Sequence, residues 1–354
     1  MKVRKPGDNV GFEVARVSGA VPAGGRPPVG LLVGSQHLPE QVREIAVEAE
    51  GAGFGEFWVS EDYFFHGGIA DATMALSATQ SMPVGIGVLS AQVRHPAVLA
   101  MELATLARSF PGRLRPGIGL GVPRWMDQMG LRPNSQLGLL RETVTVVRRL
   151  LAGEEVTAKG PNFAFDKVKL KYPVPTHLPL DMGVSGPNML RLSGEVADGT
   201  VGSVLAGVQY IRWAREQIAT GCAMGQRLEH RFTAFALYSM DHDARKAKDA
   251  MRDVLAFYLS IGAKGSQAEV YGIVEQATEI ARGGQERMAH EMPDQWIEDL
   301  AIAGEPDECA DKIDRLLNAG ADSVILFPSG GNVIDMCRQT GREVLPRIRA
   351  AGQS

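Results

Sequence analysis

From Pro83 to Gly121 the chain reads as strand, turn, helix, turn, strand. Repeated along a chain, this strand–helix–strand unit is the building block of parallel α/β folds. Both strands are studded with glycine, at Gly85-Ile-Gly87-Val88 and at Gly117-Ile-Gly119-Leu-Gly121. The helix starts at Pro96 and carries Val98, Leu99, Leu103, Leu106 and Phe110 on or near one face. Glycine toward the C-terminal end of a buried strand lets a ligand approach the backbone. Two such ends suggest a flat ligand resting on a ring of strand tips. The competing reading is that these glycines relieve crowding inside a tightly wound barrel.

The same helix–strand grammar recurs at both ends of the chain. A helix from Pro39 to Gly51 precedes Ala52-Gly-Phe-Gly-Glu-Phe-Trp-Val59, and one from Pro306 to Asn318 precedes Ala319-Gly-Ala-Asp-Ser-Val-Ile-Leu326. Proline in the first turn and glycine just past the end mark the boundaries of each helix. Val42, Ile45, Ala46 and Ala49 share a face of the first helix; Cys309, Ile313, Leu316 and Leu317 share one of the last. Strands are expected near 29–33, 55–59, 84–88, 115–119, 180–185, 199–204, 232–239 and 323–327. Eight parallel strands with intervening helices predict a (β/α)8 TIM barrel over 29–354, preceded by an N-terminal extension, 1–28. A doubly wound sheet fits less well, because no G-x-G-x-x-G follows the first strand. Two insertions interrupt the alternation. One, after strand four (122–179), combines a helix with a hairpin-like stretch from Glu154 to Leu170. The other, after strand seven (243–305), is read as a helix from Met251 to Ile261 and a long polar helical run to Leu300. Insertions of this kind on the mouth side of a barrel form lids or subunit contacts.

The chain has 354 residues, 45% hydrophobic and 22% charged, with a formal net charge of −4. That balance gives no basic bias toward nucleic acid or anionic membrane. No segment approaches the roughly 18 uninterrupted apolar residues of a membrane span. Cys222, Cys309 and Cys337 are too scattered for a disulfide framework or a metal site, which fits a reducing cytoplasm. The seven histidines form no pair at ligand spacing, so no metal is expected.

Chemistry concentrates at strand ends. Ser60-Glu61-Asp62-Tyr63-Phe64 follows the second strand, where a barrel points side chains into its active site. Glu61 or Asp62 can serve as a general acid or base, with His66 close enough to reach the mouth. Neighbouring side chains on extended backbone point opposite ways, so only one acid need face a ligand. Alternatively, one acid caps the following helix and the other pairs with an arginine. Ser185-Gly186-Pro187-Asn188 opens a helix whose N–H groups can hold an anion, or is an ordinary strand-to-helix turn. Arg124, in Gly121-Val-Pro-Arg-Trp125, can grip the same ligand, or is a solvated surface charge.

These motifs, in this order, resemble those of the luciferase-like superfamily of flavin- and deazaflavin-dependent oxidoreductases. They are most similar to the coenzyme F420-dependent methylenetetrahydromethanopterin reductases and their relatives. The matching segments are Phe57-Trp-Val-Ser-Glu-Asp-Tyr63, Gly85 to Pro96, Gly112-Arg-Leu-Arg-Pro-Gly-Ile-Gly-Leu-Gly121, Gly183-Val-Ser-Gly-Pro-Asn-Met-Leu190, Glu195-Val-Ala-Asp-Gly199 and Ile302 through Gly320. The resemblance implies hydride transfer between F420 and a small organic molecule, with FMN-dependent monooxygenation or a non-catalytic carrier as alternatives. It implies a non-proline cis peptide at Gly87-Val88, and a homodimer or larger assembly. The implied cofactor contacts are Ser60, Gly87, Val88, Gly119, Leu120, Gly121, Val122, Pro123, Ser185, Gly186, Pro187 and Asn188. Two positions depart from the pattern. Asp62 stands where relatives commonly place histidine, and Val122 where deazaflavin relatives often carry an acid.

Overall fold

The computed structural model describes residues 27–34 and 36–349, so nearly all of the expected N-terminal extension, 1–28, lies outside the described residues. Its strands are β1 (Val29–Val33), β2 (Glu56–Val59), β3 (Val84–Ser90), β4 (Leu114–Gly119), β5 (Val156–Lys159), β6 (Ala164–Val168), β7 (Asp181–Gly183), β8 (Gly199–Gly202), β9 (Arg231–Met240), β10 (Ala301–Gly304) and β11 (Ser323–Pro328). Eight of them close a parallel ring in the order β1-β2-β3-β4-β7-β8-β9-β11 and back to β1. The closed ring is the expected TIM barrel and excludes the open doubly wound sheet.

The flanking helices follow their sequence patterns. In Pro306–Asn318, Cys309, Ile313, Leu316 and Leu317 are buried, and Glu305 and Glu308 form a reciprocal capping box. Val42–Gly51 buries Val42, Ile45, Ala46 and Ala49 after a single 3-10 turn at Pro39–Gln41. The backbone turns left-handed at Gly53 and Gly320, just past these two helices. Helix Pro96–Ser109 buries Leu99, Leu103 and Leu106, but Val98 faces outward at 44% exposure.

The first insertion carries helix Gln136–Leu151 and the antiparallel hairpin β5–β6. The second departs from expectation. Its polar run is not one long helix. It is the short helices Ser266–Val270, Val274–Ala281, Gly284–Glu291 and Asp294–Leu300, separated by breakers that include Gly272 and Gly284 at positive φ and Pro293. It then ends in a ninth parallel strand, β10. This strand is possible because β9 is ten residues long. Residues 231–234 of β9 pair with β8, and residues 237–240 pair with β10 on the same edge.

The lower barrel interior is charged. Glu56 accepts from Arg231, which also donates to Ser323 Oγ (2.6 Å), while Arg115 lies 3.9 Å from Asp181. Burial alone would raise the Glu56 carboxyl, but Arg231 and then Arg115 outweigh it and hold it below the usual range. Trp58 stands above this layer, donating Nε1 to Glu56 Oε2 (3.0 Å) and meeting Phe235 edge-on at 5.4 Å. Gly85 makes room for it: a β-carbon there would lie 2.2 Å from the indole.

Candidate active site

The barrel mouth opens into a cavity of about 580 Å³ at the carboxyl ends of the strands. That lies inside the roughly 300–1,000 Å³ usual for small-molecule sites. Its floor includes Gly87, Val88, Phe235 and Phe327. The Gly87-Val88 peptide is cis, at the position expected.

Most strand-end glycines serve packing. β-Carbons on Gly117, Gly119 and Gly183 would lie 2.9, 2.5 and 2.5 Å from Val88 methyls. A β-carbon on Gly87 would lie 2.5 Å from the Phe235 ring. The glycines of β4 therefore house the Val88 side chain, and the crowding explanation holds for them. Gly121 has two reasons to be glycine: it lines the cavity at φ +82, a conformation open to few other residues, and a β-carbon there would lie 2.8 Å from the Tyr63 ring.

Nine of the twelve cofactor candidates line the cavity: Ser60, Gly87, Val88, Leu120, Gly121, Val122, Pro123, Ser185 and Gly186. Gly119, Pro187 and Asn188 sit just outside the wall. Pro187 and Asn188 form the first turn of helix Pro187–Val196, whose N-cap, Gly186, makes no side-chain cap. A β-carbon at Gly186 would meet nothing within 4 Å, so this uncapped helix start is bare. Its unshared N–H groups suit an anion. Arg124 is exposed on the short helix Pro123–Gln128, outside the lining.

The acids divide as extended backbone dictates. Glu61 accepts from Arg94 Nη1 (2.6 Å) and Nη2 (2.7 Å), from Gly68 N (3.1 Å) and from Ser90 N (3.2 Å). Four donors fill the roughly four lone-pair sites of a carboxylate. Glu61 thus does both jobs of the alternative reading: it caps helix Gly68–Ala78 and pairs with an arginine. Asp62 accepts from Ser60 Oγ (3.1 Å) at Oδ2, and no hydrogen bond reaches Oδ1 from the described residues. Asp62 and Tyr258 both line the cavity, and burial, reinforced by the Asp62 charge, pushes the Tyr258 phenol up to about 12. His66 lies outside the lining. Its Nδ1 meets Asp71 Oδ2 and its Nε2 meets the His37 carbonyl, both at 2.8 Å, so neither nitrogen is spare.

The sequence reading missed Arg94, Tyr63, Trp125, Phe235, Tyr258 and Phe327. Arg94 had a signal, since a basic residue one strand over from two acids is a natural partner. Tyr258 had none, because helix Arg252–Gly262 reaches the mouth only through the fold of the insertion.

A closed parallel barrel with a cavity over its strand ends is the frame of a small-molecule enzyme. The sequence pattern of the luciferase-like monooxygenase family matches residues 21–323, and the chain belongs to that family. It is 30% identical over 314 residues to the 5,10-methylenetetrahydromethanopterin reductase of Methanolobus tindarius, covering 86% of this chain and 95% of that one. It is 29% identical over 330 residues to the F420-dependent glucose-6-phosphate dehydrogenase of Nakamurella multipartita, covering 89% and 94%. The fold superposes on the coenzyme F420-dependent tetrahydromethanopterin reductase of Methanopyrus kandleri with a TM-score of 0.80 at 26% identity, covering 92% of this chain and all of that one.

Proposed function

We propose that this chain is an F420-dependent oxidoreductase that transfers a hydride between the deazaflavin ring and a small organic substrate at the barrel mouth. The observation that carries this reading is the pairing of two features across one cavity: the Gly87-Val88 floor and the bare start of helix Pro187–Val196. The floor offers a surface to a flat ring, and the helix start offers N–H groups to a phosphate. When bound, F420 supplies a hydride carrier poorly suited to one-electron chemistry. The chain supplies the rest. Ser60, Leu120 and Pro123 line the cavity that would hold the cofactor, and Asp62 Oδ1 would hold or release the proton that balances the hydride. Glu61, with its lone pairs committed, positions Asp62 by anchoring the β2 end to β3 and Arg94. His66 braces the same loop through Asp71 and His37.

Fluorescence titration tests the cofactor. F420 is expected to bind at least about tenfold more tightly than FMN, a gap of about 1.4 kcal/mol. Micromolar FMN binding with no F420 binding would move the chain to the FMN-dependent monooxygenases of the family. Binding of F420 without hydride transfer to any acceptor would make it a carrier.

The same reading includes a homodimer. Val98 and Met101, 44% and 53% exposed, place apolar surface on the outer face of helix Pro96–Ser109, as a subunit contact requires. Sedimentation at micromolar concentration should give a species above the 38.0 kDa monomer; a monomer alone contradicts it.

A further inference from the structure

We infer that the substrate is an apolar, aromatic molecule without negative charge, either neutral or carrying a basic nitrogen. The inference rests on the oxidoreductase reading above and specifies its second ligand.

Among the described residues lining the cavity there is no lysine, arginine or histidine. The charged members are Glu61 and Asp62 alone. Arg94 neutralises Glu61, and that guanidinium is itself committed, pairing also with Glu102 at 3.1 Å. The net charge that the wall presents is therefore the Asp62 carboxylate. A phosphate or carboxylate entering such a cavity loses its hydration and meets no cation in exchange, a cost of several kcal/mol. Sites for such anions ordinarily recruit arginine or lysine for this reason. Among the described lining residues the bare helix start beside Ser185 is the one anion site, and on the cofactor reading the phosphate takes it.

The wall around Asp62 and Pro123 is aromatic. Tyr63 and Trp125 meet edge-on at 6.3 Å, and Phe65 packs against the same indole at 5.9 Å. Phe64 and Phe65 stand 66% and 56% exposed at the rim, apolar surface that a bound aromatic body would cover. Tyr258 also lines the cavity, near enough to Asp62 to feel its charge. Aromatic faces next to a lone carboxylate favour a ring system and accept a cation, by π attraction and by charge.

The test is calorimetric titration of the F420-saturated protein with one aromatic body in three charge states: 2-naphthylmethanol, 2-naphthylmethylamine and 2-naphthoate. Glucose 6-phosphate is added as a polar anion. The alcohol and the amine should bind at least about tenfold more tightly than either anion. Asp62→Asn should weaken the amine, strengthen the naphthoate and leave the alcohol nearly unchanged. Phe65→Ser should weaken all three naphthalenes together. Tighter or equal binding of naphthoate or glucose 6-phosphate overturns the inference, and so does failure of the alcohol and the amine to bind. The cofactor reading is judged separately by the F420 titration. If F420 does not bind but the charge order holds in the cofactor-free protein, the substrate class stands and the cofactor assignment falls.

Discussion

Asp62→Asn should lower steady-state turnover by about 10²–10⁴-fold, the usual worth of a general acid or base. F420 affinity should change far less. Asparagine keeps the size of the side chain and its contact with Ser60, so the cavity wall survives. What it removes is the ability of the terminal atom at Oδ1 to take and give a proton. Glu61→Gln provides the contrast. Its carboxylate is already saturated by Arg94, Gly68 and Ser90, so the substitution breaks a bidentate ion pair rather than a proton path. That variant should lose thermal stability together with activity, whereas Asp62→Asn should melt like the parent. If Asp62→Asn turns over at near parental rate, the proton comes from another group and the assignment of Asp62 is wrong.

Arg231→Met should destabilise the fold by about 3–5 kcal/mol at neutral pH, because it leaves Glu56 and Asp181 to share Arg115, a surplus negative charge inside the barrel. Adding Glu56→Leu should recover much of the loss, since Arg115 and Asp181 then remain as a balanced pair and the interior carries no surplus charge. The pH dependence has a definite sign. Glu56 is held below its usual value of 4.5 in the folded protein. Its contribution is therefore complete above that value and disappears as the pH falls through the lower, folded-state value. The gap between parent and Arg231→Met should be widest near neutrality, start to close above pH 4.5 as the variant's burial-raised Glu56 takes up its proton, and close further below about pH 4.5 as the parent loses its own advantage. Denaturant unfolding across pH measures both. A single variant no less stable than the parent would show that the pair contributes nothing.

The barrel strands were legible because parallel strands buried on both faces read as short apolar runs between glycines and helix caps. β10 was not legible. Ala301–Gly304 is four residues long and follows a helix directly, so no turn signal separates the two. Its existence depends on spare length in β9, which is a property of two distant segments at once. The position of Glu61 and Asp62 at the mouth was readable from the strand end, but their division of labour was not. It is set by Arg94, which the backbone brings from beyond β3. The charged layer was visible in part: Glu56, Arg115, Asp181 and Arg231 each interrupt or border an apolar strand, and a charge in that setting needs a partner. The glycines of β3 and β4 carried two meanings, and only the placement of the Val88 and Trp58 side chains decided between them.

Val88 and the three glycines around it behave as one inherited unit. The valine fills a socket whose walls are Gly117, Gly119 and Gly183 on two neighbouring strands, each lacking the methyl that would collide with it. No member can enlarge alone, and a smaller residue at 88 would open the space that an alanine at 119 or 183 needs. Relatives that share this floor are expected to vary at these four positions in concert, with side-chain volume passed between strands rather than added. For anyone reshaping the cavity, the floor is thus a single mechanical part, while the aromatic rim above it can be exchanged residue by residue.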